Sequence, residues 1–234
     1  MKTILSLSLT FIFLLSPQVS SGADLADLQT GKRGIVLIAG KLTPEVNQQM
    51  LALAKSTELT IYFQSPNATT VLAVRKAADA AGLLGERIFV EQSGVDRICL
   101  GDNIADAAFV SGATEKELLR VLRPGARAIL NGKAITSPAT KGTDPWSHPF
   151  HGPDNNPQST DEVARAPYLT QFIQAPKFSP MPQITVAAGG RVYRAFGHIA
   201  HKANQNEMLN TLICASAHNG IIHWKRKLTP GFMI

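Results

Sequence analysis

The chain has 234 residues, of which 44% are hydrophobic and 17% are charged, and its formal net charge is +6. This composition excludes a disordered chain, because it supplies enough apolar surface for a core and both signs of charge are present. The 23 lysine and arginine residues are scattered and not interleaved with aromatic residues, so we expect no nucleic-acid binding. Two cysteines, Cys99 and Cys214, leave open whether they form a disulfide.

Residues 1–23 have the pattern of a secretory signal peptide. Lys2 precedes an apolar run at residues 4–15, Pro17 follows that run, and small residues occupy positions 21–23. We therefore expect cleavage after Ala23 and export to the periplasm or the extracellular space. The apolar run is shorter than the roughly 20 residues that a spanning helix needs, so we expect no stable membrane span in the mature chain.

Residues 24–135 alternate short apolar runs with helical patterns. The first run, residues 34–39, is continuously apolar, which is typical of a strand covered on both faces. Thr43 with Pro44, and Thr114 with Glu117, are typical helix starts. The predicted elements are strands at residues 34–39, 59–63, 87–91, 106–110 and 126–130, with helices at residues 44–56, 66–81 and 114–122. This order predicts an α/β domain with a doubly wound, Rossmann-like parallel sheet.

The remainder of the chain has a different character. Residues 136–182 are rich in proline, glycine, serine and asparagine, which predicts a linker, and their one helix-like patch is at residues 166–173. Residues 183–234 return to strand patterns, with an Asn219-Gly220 pair that indicates a tight hairpin. Strands are predicted at residues 183–187, 191–196, 209–215 and 221–225. This part therefore reads as a small antiparallel β segment of about four strands.

One segment of the first domain resembles a known family. The run RVLRPG at residues 120–125, followed by ARAIL, and the strand DAAFV at residues 106–110 resemble class I S-adenosylmethionine-dependent methyltransferases. The resemblance implies a methyltransferase-type Rossmann domain with its cofactor beyond the first and second strands. Where that family has a glycine-rich loop and an acidic ribose ligand, this chain has a single glycine and a glutamine. The implied, degenerate S-adenosylmethionine pocket consists of Ala39, Gly40, Lys41 and Gln64.

The same residues have plainer interpretations. Gly40 serves a strand-to-helix turn, and Gln64 caps the next helix. Asp102 and Asp106 are then solvated acids in loops. We keep these structural roles as alternatives to cofactor binding, because residues of these types have structural roles more often than functional ones.

A second resemblance covers the C-terminal strands. The stretch LICASAHNGIIHW at residues 212–224 resembles a blade of pyrroloquinoline-quinone-type (PQQ-type) β-propellers, with Asn219, Gly220 and Trp224 at matching places and Ser216 where those repeats have aspartate. The resemblance implies one four-stranded blade whose apolar faces need further blades or another docked protein. A single blade does not form the central channel that PQQ requires, so we expect no bound PQQ.

The linker contains the histidine-rich stretch DPWSHPFHGPDNN at residues 144–156. His148 and His151 are weak candidates for metal ligands, but the surrounding prolines prevent the helix that would bring them together. We expect no metal there. The stretch resembles the segment that leads into quinoprotein-type propellers, which makes it the joint between two domains. No nucleophile motif is present, so catalytic residues stay unassigned.

The whole layout resembles the N-terminal part of large exported bacterial proteins that combine both domains, truncated after the first blade. This resemblance implies an exported, non-catalytic binding or scaffold protein. The alternative is an S-adenosylmethionine-dependent methyltransferase. A second alternative is a fragment of a quinoprotein-type oxidoreductase propeller.

Overall fold

The computed structural model describes residues 25–28, 30–41 and 43–229, so the predicted signal peptide lies outside the described residues. A six-stranded sheet, sheet A, has the order β3-β2-β1-β4-β5-β6. Its first five strands are parallel, and β6 runs antiparallel to β5. The strands are β1 (Arg33–Ala39), β2 (Glu58–Ser65), β3 (Ile88–Gln92), β4 (Ala105–Val110), β5 (Leu122–Leu130) and β6 (Lys133–Thr136). The predicted doubly wound, Rossmann-like fold is confirmed.

Three α-helices cover the two faces of sheet A. They are α1 (Pro44–Ser56), α2 (Ala68–Ala80) and α3 (Glu115–Val121). The Asn67 side chain accepts a hydrogen bond from Thr70 N, and Thr114 accepts one from Glu117 N, as the sequence predicts for the start of α3. Thr43 lies at the N-cap of α1 but makes no side-chain capping bond, so the fixed backbone angle of Pro44 defines that helix start.

The apolar core lies on both faces of sheet A. Alternate residues of β1 point to opposite sides, so Val36 and Ile38 pack with α1 and α2, whereas Leu37 and Ala39 pack with α3. All four of these side chains are fully buried. Burial on both faces explains why the strand reads as a continuous apolar run and not as an alternating one.

Residues 93–104 connect β3 to β4 without a helix. This connection is fixed to α3 by a buried ion pair, because Arg120 donates to the carbonyl oxygens of Ile98 and Leu100 and binds the Glu117 carboxylate at 2.6 Å. Glu117 also accepts a hydrogen bond from Ile98 N at 2.7 Å. The Arg120 guanidinium lowers the pKa of Glu117 to about 2. The ion pair thus fixes this connection to α3, while Ile98 packs into the core on the same face.

Three details of sheet A and the linker differ from expectation. The strand β5 begins at Leu122, directly after α3, and not after the Pro124-Gly125 pair. The sequence predicted no strand after Leu130, yet Asn131 and Gly132 turn the chain into β6. The helix-like patch at residues 166–173, which Pro167 made ambiguous, is irregular in the structure: Phe172 lies against Gly220, but most of its other apolar side chains are exposed. Tyr168, Leu169 and Ile173 are all largely exposed.

A second, smaller sheet, sheet B, follows the linker. Its four strands form an antiparallel meander in the order β10-β9-β8-β7. They are β7 (Pro182–Ala188), β8 (Arg191–Phe196), β9 (Thr211–Ser216) and β10 (Ile222–Lys227), with a 3-10 helix at Ala203–Met208. Its buried cluster contains Phe196, Met208 and Ile213. The predicted antiparallel β segment is therefore confirmed. No helix within the described ranges is long and apolar enough to cross a membrane.

Candidate functional site

In a doubly wound sheet, ligands bind beyond the carboxyl ends of the strands, where the strand order reverses. In sheet A that point lies between β1 and β4, because β2 and β4 flank β1 on opposite sides. Ala39 and Gly40 end β1 at this edge, and Gln64 lies beside them near the end of β2. Lys41 follows and is exposed. The structure thus brings three of the four predicted cofactor residues together and leaves the fourth at the surface.

Gly40 is in close contact with the loop that follows β4. Its backbone has a φ of 111°, and a Cβ atom at this position would lie 2.0 Å from the carbonyl oxygen of Ser111. Gly40 N donates to Gln64 O, and Ser111 N donates to Ala39 O, both at 2.9 Å. Because strand-like pairing continues past the strand ends, this glycine brings the chain's own backbone, and not a ligand, close to β1.

Gln64 is completely buried, and its side-chain amide is bonded to the connection between β3 and β4. Its Nε2 atom donates to the carbonyl oxygens of Gly94 and Arg97, and its Oε1 atom accepts from Cys99 N at 2.9 Å. Both donor hydrogens and the carbonyl oxygen are therefore in use. Neither predicted role describes this geometry, since Asn67 caps α2 and Gln64 instead holds a loop over the end of β2.

The opposite, amino-terminal edge of sheet A is where sheet B packs. Asp106, at the start of β4, connects the two sheets: its Oδ2 atom accepts from Ile35 N at 2.9 Å and from Asn219 Nδ2 at 2.8 Å. Its Oδ1 atom binds Arg123 Nε at 2.6 Å. The side chain of Asp106 is only 13% exposed, so the expectation of a solvated loop acid was wrong for this residue. Asp102 is 65% exposed, as expected.

The turn between β9 and β10 supplies the other half of this junction. Asn219 is buried and also donates to Ile104 O, while its Oδ1 atom accepts from Ile221 N. The Ser216 hydroxyl accepts from the backbone of His218 and Asn219, so serine does the capping work expected of aspartate in this turn. Arg33 adds contacts to the carbonyl oxygens of Ile222 and His223. The Asn219-Gly220 turn, predicted from a local hairpin signal, therefore also makes a contact between the two sheets.

The histidine-rich linker is organised around Asp144. Its Oδ2 atom accepts from the backbone and hydroxyl of Thr160 and from the Ser159 hydroxyl, and it pairs with His151 Nε2 at 2.8 Å. These donors, with the Thr160 backbone first, lower the pKa of Asp144 to about 2. His148 contacts Ser147 instead. His148 N donates to His151 O at 3.1 Å, so the two residues are neighbours through their backbones while their side chains have different partners. Among the described residues no cluster of three or more metal-ligating side chains occurs.

Both cysteines carry free thiols. Cys99 is exposed on the connection between β3 and β4, whereas Cys214 is buried in β9. The question that the sequence left open is answered for this structure: the two residues are not joined.

Comparisons with known proteins give distant structural matches. No protein-family model and no curated protein matches the chain. A solved structure assigned as an S-adenosylmethionine-dependent methyltransferase from Methanococcus maripaludis is 22% identical, with a TM-score of 0.36; the match covers 42% of this chain and 47% of that one. A methyltransferase from Aquifex aeolicus is 20% identical, with a TM-score of 0.35 and coverage of 43% and 57%.

A third solved structure, geranyl diphosphate C-methyltransferase from Streptomyces coelicolor, is 14% identical, with a TM-score of 0.39 and coverage of 45% and 43%. The chain thus spans about half the length of these three structures.

Proposed function

We propose that the protein is an exported binding protein that uses a methyltransferase-type domain as a scaffold and does not transfer methyl groups. One observation carries this proposal: Gln64, which would face the ribose of a cofactor, is buried, donates both of its amide hydrogens to residues 94 and 97 and accepts a hydrogen bond from Cys99 N. A ribose would have to displace these bonds, which leaves buried backbone groups unpaired at a cost of about 1–3 kcal/mol each.

Methyl transfer is the second candidate function. It is favoured by the position of Gly40, with its positive φ, at the point where the strand order of sheet A reverses, which is where this fold binds nucleotides. The similar solved structures named above are also methyltransferases. In this case Ala39, Gly40, Lys41 and Gln64 would hold S-adenosylmethionine, and residues 94–99 would have to move away from β2.

Calorimetry with S-adenosylmethionine separates the two candidates. The scaffold proposal predicts no saturable heat up to about 1 mM ligand, which corresponds to binding weaker than about 4 kcal/mol. A micromolar dissociation constant that Gln64→Ala changes by more than about tenfold would establish the methyltransferase pocket instead. Lys55→Ala, at an exposed position in the last turn of α1 and outside the predicted pocket, is the control.

Export and the role of sheet B are further parts of the proposal. Ile184 and Trp224 expose 49% and 39% of their surfaces on sheet B, which supports docking of additional blades or of another protein. The second alternative, a fragment of a quinoprotein-type oxidoreductase propeller, requires those blades as well. Several in-frame Asn/Thr-Gly-x-x-x-Trp repeats in the genomic sequence beyond Ile234 would favour that alternative, and their absence would count against it.

A further inference from the structure

Two neighbouring cavities with shared lining residues lie at the junction between sheet A and sheet B. The larger one, about 630 Å³, is the basic compartment, and it lies between the amino-terminal edge of sheet A and strands β8 and β10. It is lined by the charged or polar side chains of Lys32, Arg33, Arg123, Arg127, Arg191 and His223. The acids that line it, Glu58 and Asp106, are already paired with Arg33 and Arg123. The compartment therefore has an excess of positive charge.

The second cavity, about 530 Å³, is the apolar compartment. It lies between the linker, the start of β5 and the turn between β7 and β8. Its apolar lining includes Pro124, Ala139, Pro145, Trp146, Ala187 and Ala188, and Asp144, which is bonded to Thr160 and His151, and His218 also line it. Trp146 is held in place by its backbone bond to Ala187 N at 2.7 Å and by an edge contact with His151. A fixed aromatic wall with small neighbours is a typical surface for an apolar ligand.

The two compartments share Arg123, Gly125 and Arg191, so the cations lie where the cavities meet. Arg123 is occupied by Asp106, whereas no acidic side chain in the described part of the chain pairs with Arg191. Burial lowers the pKa of the nearby His223, which is therefore neutral at pH 7 and adds a hydrogen-bonding group, not a charge. Arg191 is thus the cation available to a ligand at this boundary.

From this arrangement we propose that the junction binds a small amphiphilic anion, with its acidic head group at Arg191 in the basic compartment and its apolar body against Trp146. Guanidinium groups bind oxyanions by paired hydrogen bonds, and each cavity falls within the size range of about 300–1,000 Å³ that is usual for small-molecule sites. The site lies at the edge of sheet A opposite the predicted cofactor position. The proposal therefore holds whichever of the two candidate functions is correct.

The chain contains two tryptophans, and each lines one compartment: Trp224 the basic one and Trp146 the apolar one. Tryptophan fluorescence therefore reports on each compartment separately in the variants Trp146→Phe and Trp224→Phe. The probe is decanoate, titrated below its micelle concentration into the purified protein. We expect a saturable change in the emission of both remaining tryptophans, and calorimetry on the wild type measures the affinity.

The variants that test the charge are Arg191→Gln and, as a matched control on the outer part of β10, Arg226→Gln. We expect Arg191→Gln to weaken decanoate binding at least about tenfold and Arg226→Gln to leave it within about twofold, since a charged hydrogen bond is lost only in the first. If Arg191→Gln does not fold, as judged by circular dichroism, Lys32→Gln, at an exposed position, is compared with Arg226→Gln instead. We expect it to lower the affinity for decanoate by a smaller factor.

Several results would overturn the proposal. The absence of saturable binding of decanoate would do so, as would equal affinity for decanoate and uncharged 1-decanol, which would remove the role of the cations. Binding of inorganic phosphate with no gain from an apolar chain would remove the role of Trp146. Equal affinities of Arg191→Gln and Arg226→Gln would place the anion elsewhere.

Discussion

Sheet A and sheet B differ in how completely they bury the apolar side chains on their faces. Sheet A buries both of its faces with its own helices and connections, and the side chains of Val36, Leu37 and Ile38 are completely inaccessible. Sheet B buries a small cluster around Phe196, Met208 and Ile213, while Ile184 and Trp224 stay partly exposed. Sheet A therefore has the core of an independent domain. Sheet B depends on its contacts with sheet A.

The two edges of sheet A differ in a corresponding way. At the carboxyl edge, the chain's own loops occupy the space next to Gly40 and Gln64. At the amino-terminal edge, sheet B leaves a cleft around Arg123 and Arg191. The carboxyl edge, where this fold usually binds ligands, is therefore filled by the chain's own loops beside Gly40 and Gln64. The amino-terminal edge has a cleft instead.

The substitution with the largest expected effect is Gly40→Ala. A methyl group here meets the Ser111 carbonyl at 2.0 Å from a backbone with φ of 111°, so we expect a loss of more than about 3 kcal/mol in unfolding free energy. Gly132→Ala is the control, because its φ of 80° is also positive but no atom lies within 4 Å of the added carbon; we expect about 1 kcal/mol there. Urea unfolding measures both, and similar losses would contradict the close approach at the carboxyl edge.

The second prediction concerns the junction. Asp106→Ala removes the acid that joins Ile35, Arg123 and Asn219, and we expect a loss of about 2–4 kcal/mol with faster proteolysis of sheet B. Asp102→Ala breaks an Asp–Arg pair of the same length, 2.6 Å, at an exposed position, and should cost less than about 1 kcal/mol. If sheet B resists protease equally in both variants, the junction does not hold it.

The third prediction concerns acid stability. The pKa of Glu117 is lowered to about 2 by Arg120, so its contribution is complete above the unfolded pKa of roughly 4 and is lost as the pH falls toward 2. We expect Glu117→Gln to cost about 1–3 kcal/mol at pH 7 and much less at pH 2.5. Urea unfolding at both pH values measures how far the stability difference between Glu117→Gln and the wild type decreases.

Glu115→Gln, an exposed position in the first turn of the same helix, is the control and should change stability by less than about 0.5 kcal/mol at either pH. A difference between Glu117→Gln and wild type that stays constant with pH would mean that the ion pair with Arg120 is not what holds residues 98–102.

The smallest effect is expected in the linker. His151 binds Asp144 and the Asn156 carbonyl and contacts the Trp146 ring, so His151→Ala should cost about 1–2 kcal/mol. His148 contacts its neighbour Ser147 and is exposed, and His148→Ala should cost less than about 0.5 kcal/mol. Thermal melts of the two variants compare them directly. Equal effects would show that the linker is not organised around Asp144.

Strands and helices with strong local signals were predictable from the sequence. Residues 34–39 formed a buried strand because continuous apolar runs are buried on both faces, and Thr114 capped α3 because its hydroxyl reaches Glu117 N. The strand β6 was missed because its four residues carry little apolar pattern. The helix patch at residues 166–173 failed because helical spacing means little without a surface that covers the apolar side.

The site was less predictable than the fold. Gln64, Asp106 and Asn219 all bond to residues at least 30 positions away, and local spacing contains no information on such partners. One signal was available for Asp106: an acid within the apolar strand ADAAFV is buried and needs partners. Residue 120 similarly follows Glu117 by three positions on a helix, a spacing that permits an ion pair but does not indicate its burial.

The most direct test of a closed carboxyl edge is the nuclear magnetic resonance signal of the Gln64 side-chain amide during a titration with S-adenosylmethionine. Its two protons are bonded to Gly94 and Arg97. We predict that they exchange slowly with water and that their shifts do not change with added ligand. A saturable shift at micromolar ligand, with the Cys99 amide moving in parallel, would show that the edge opens to bind the cofactor and would contradict the account.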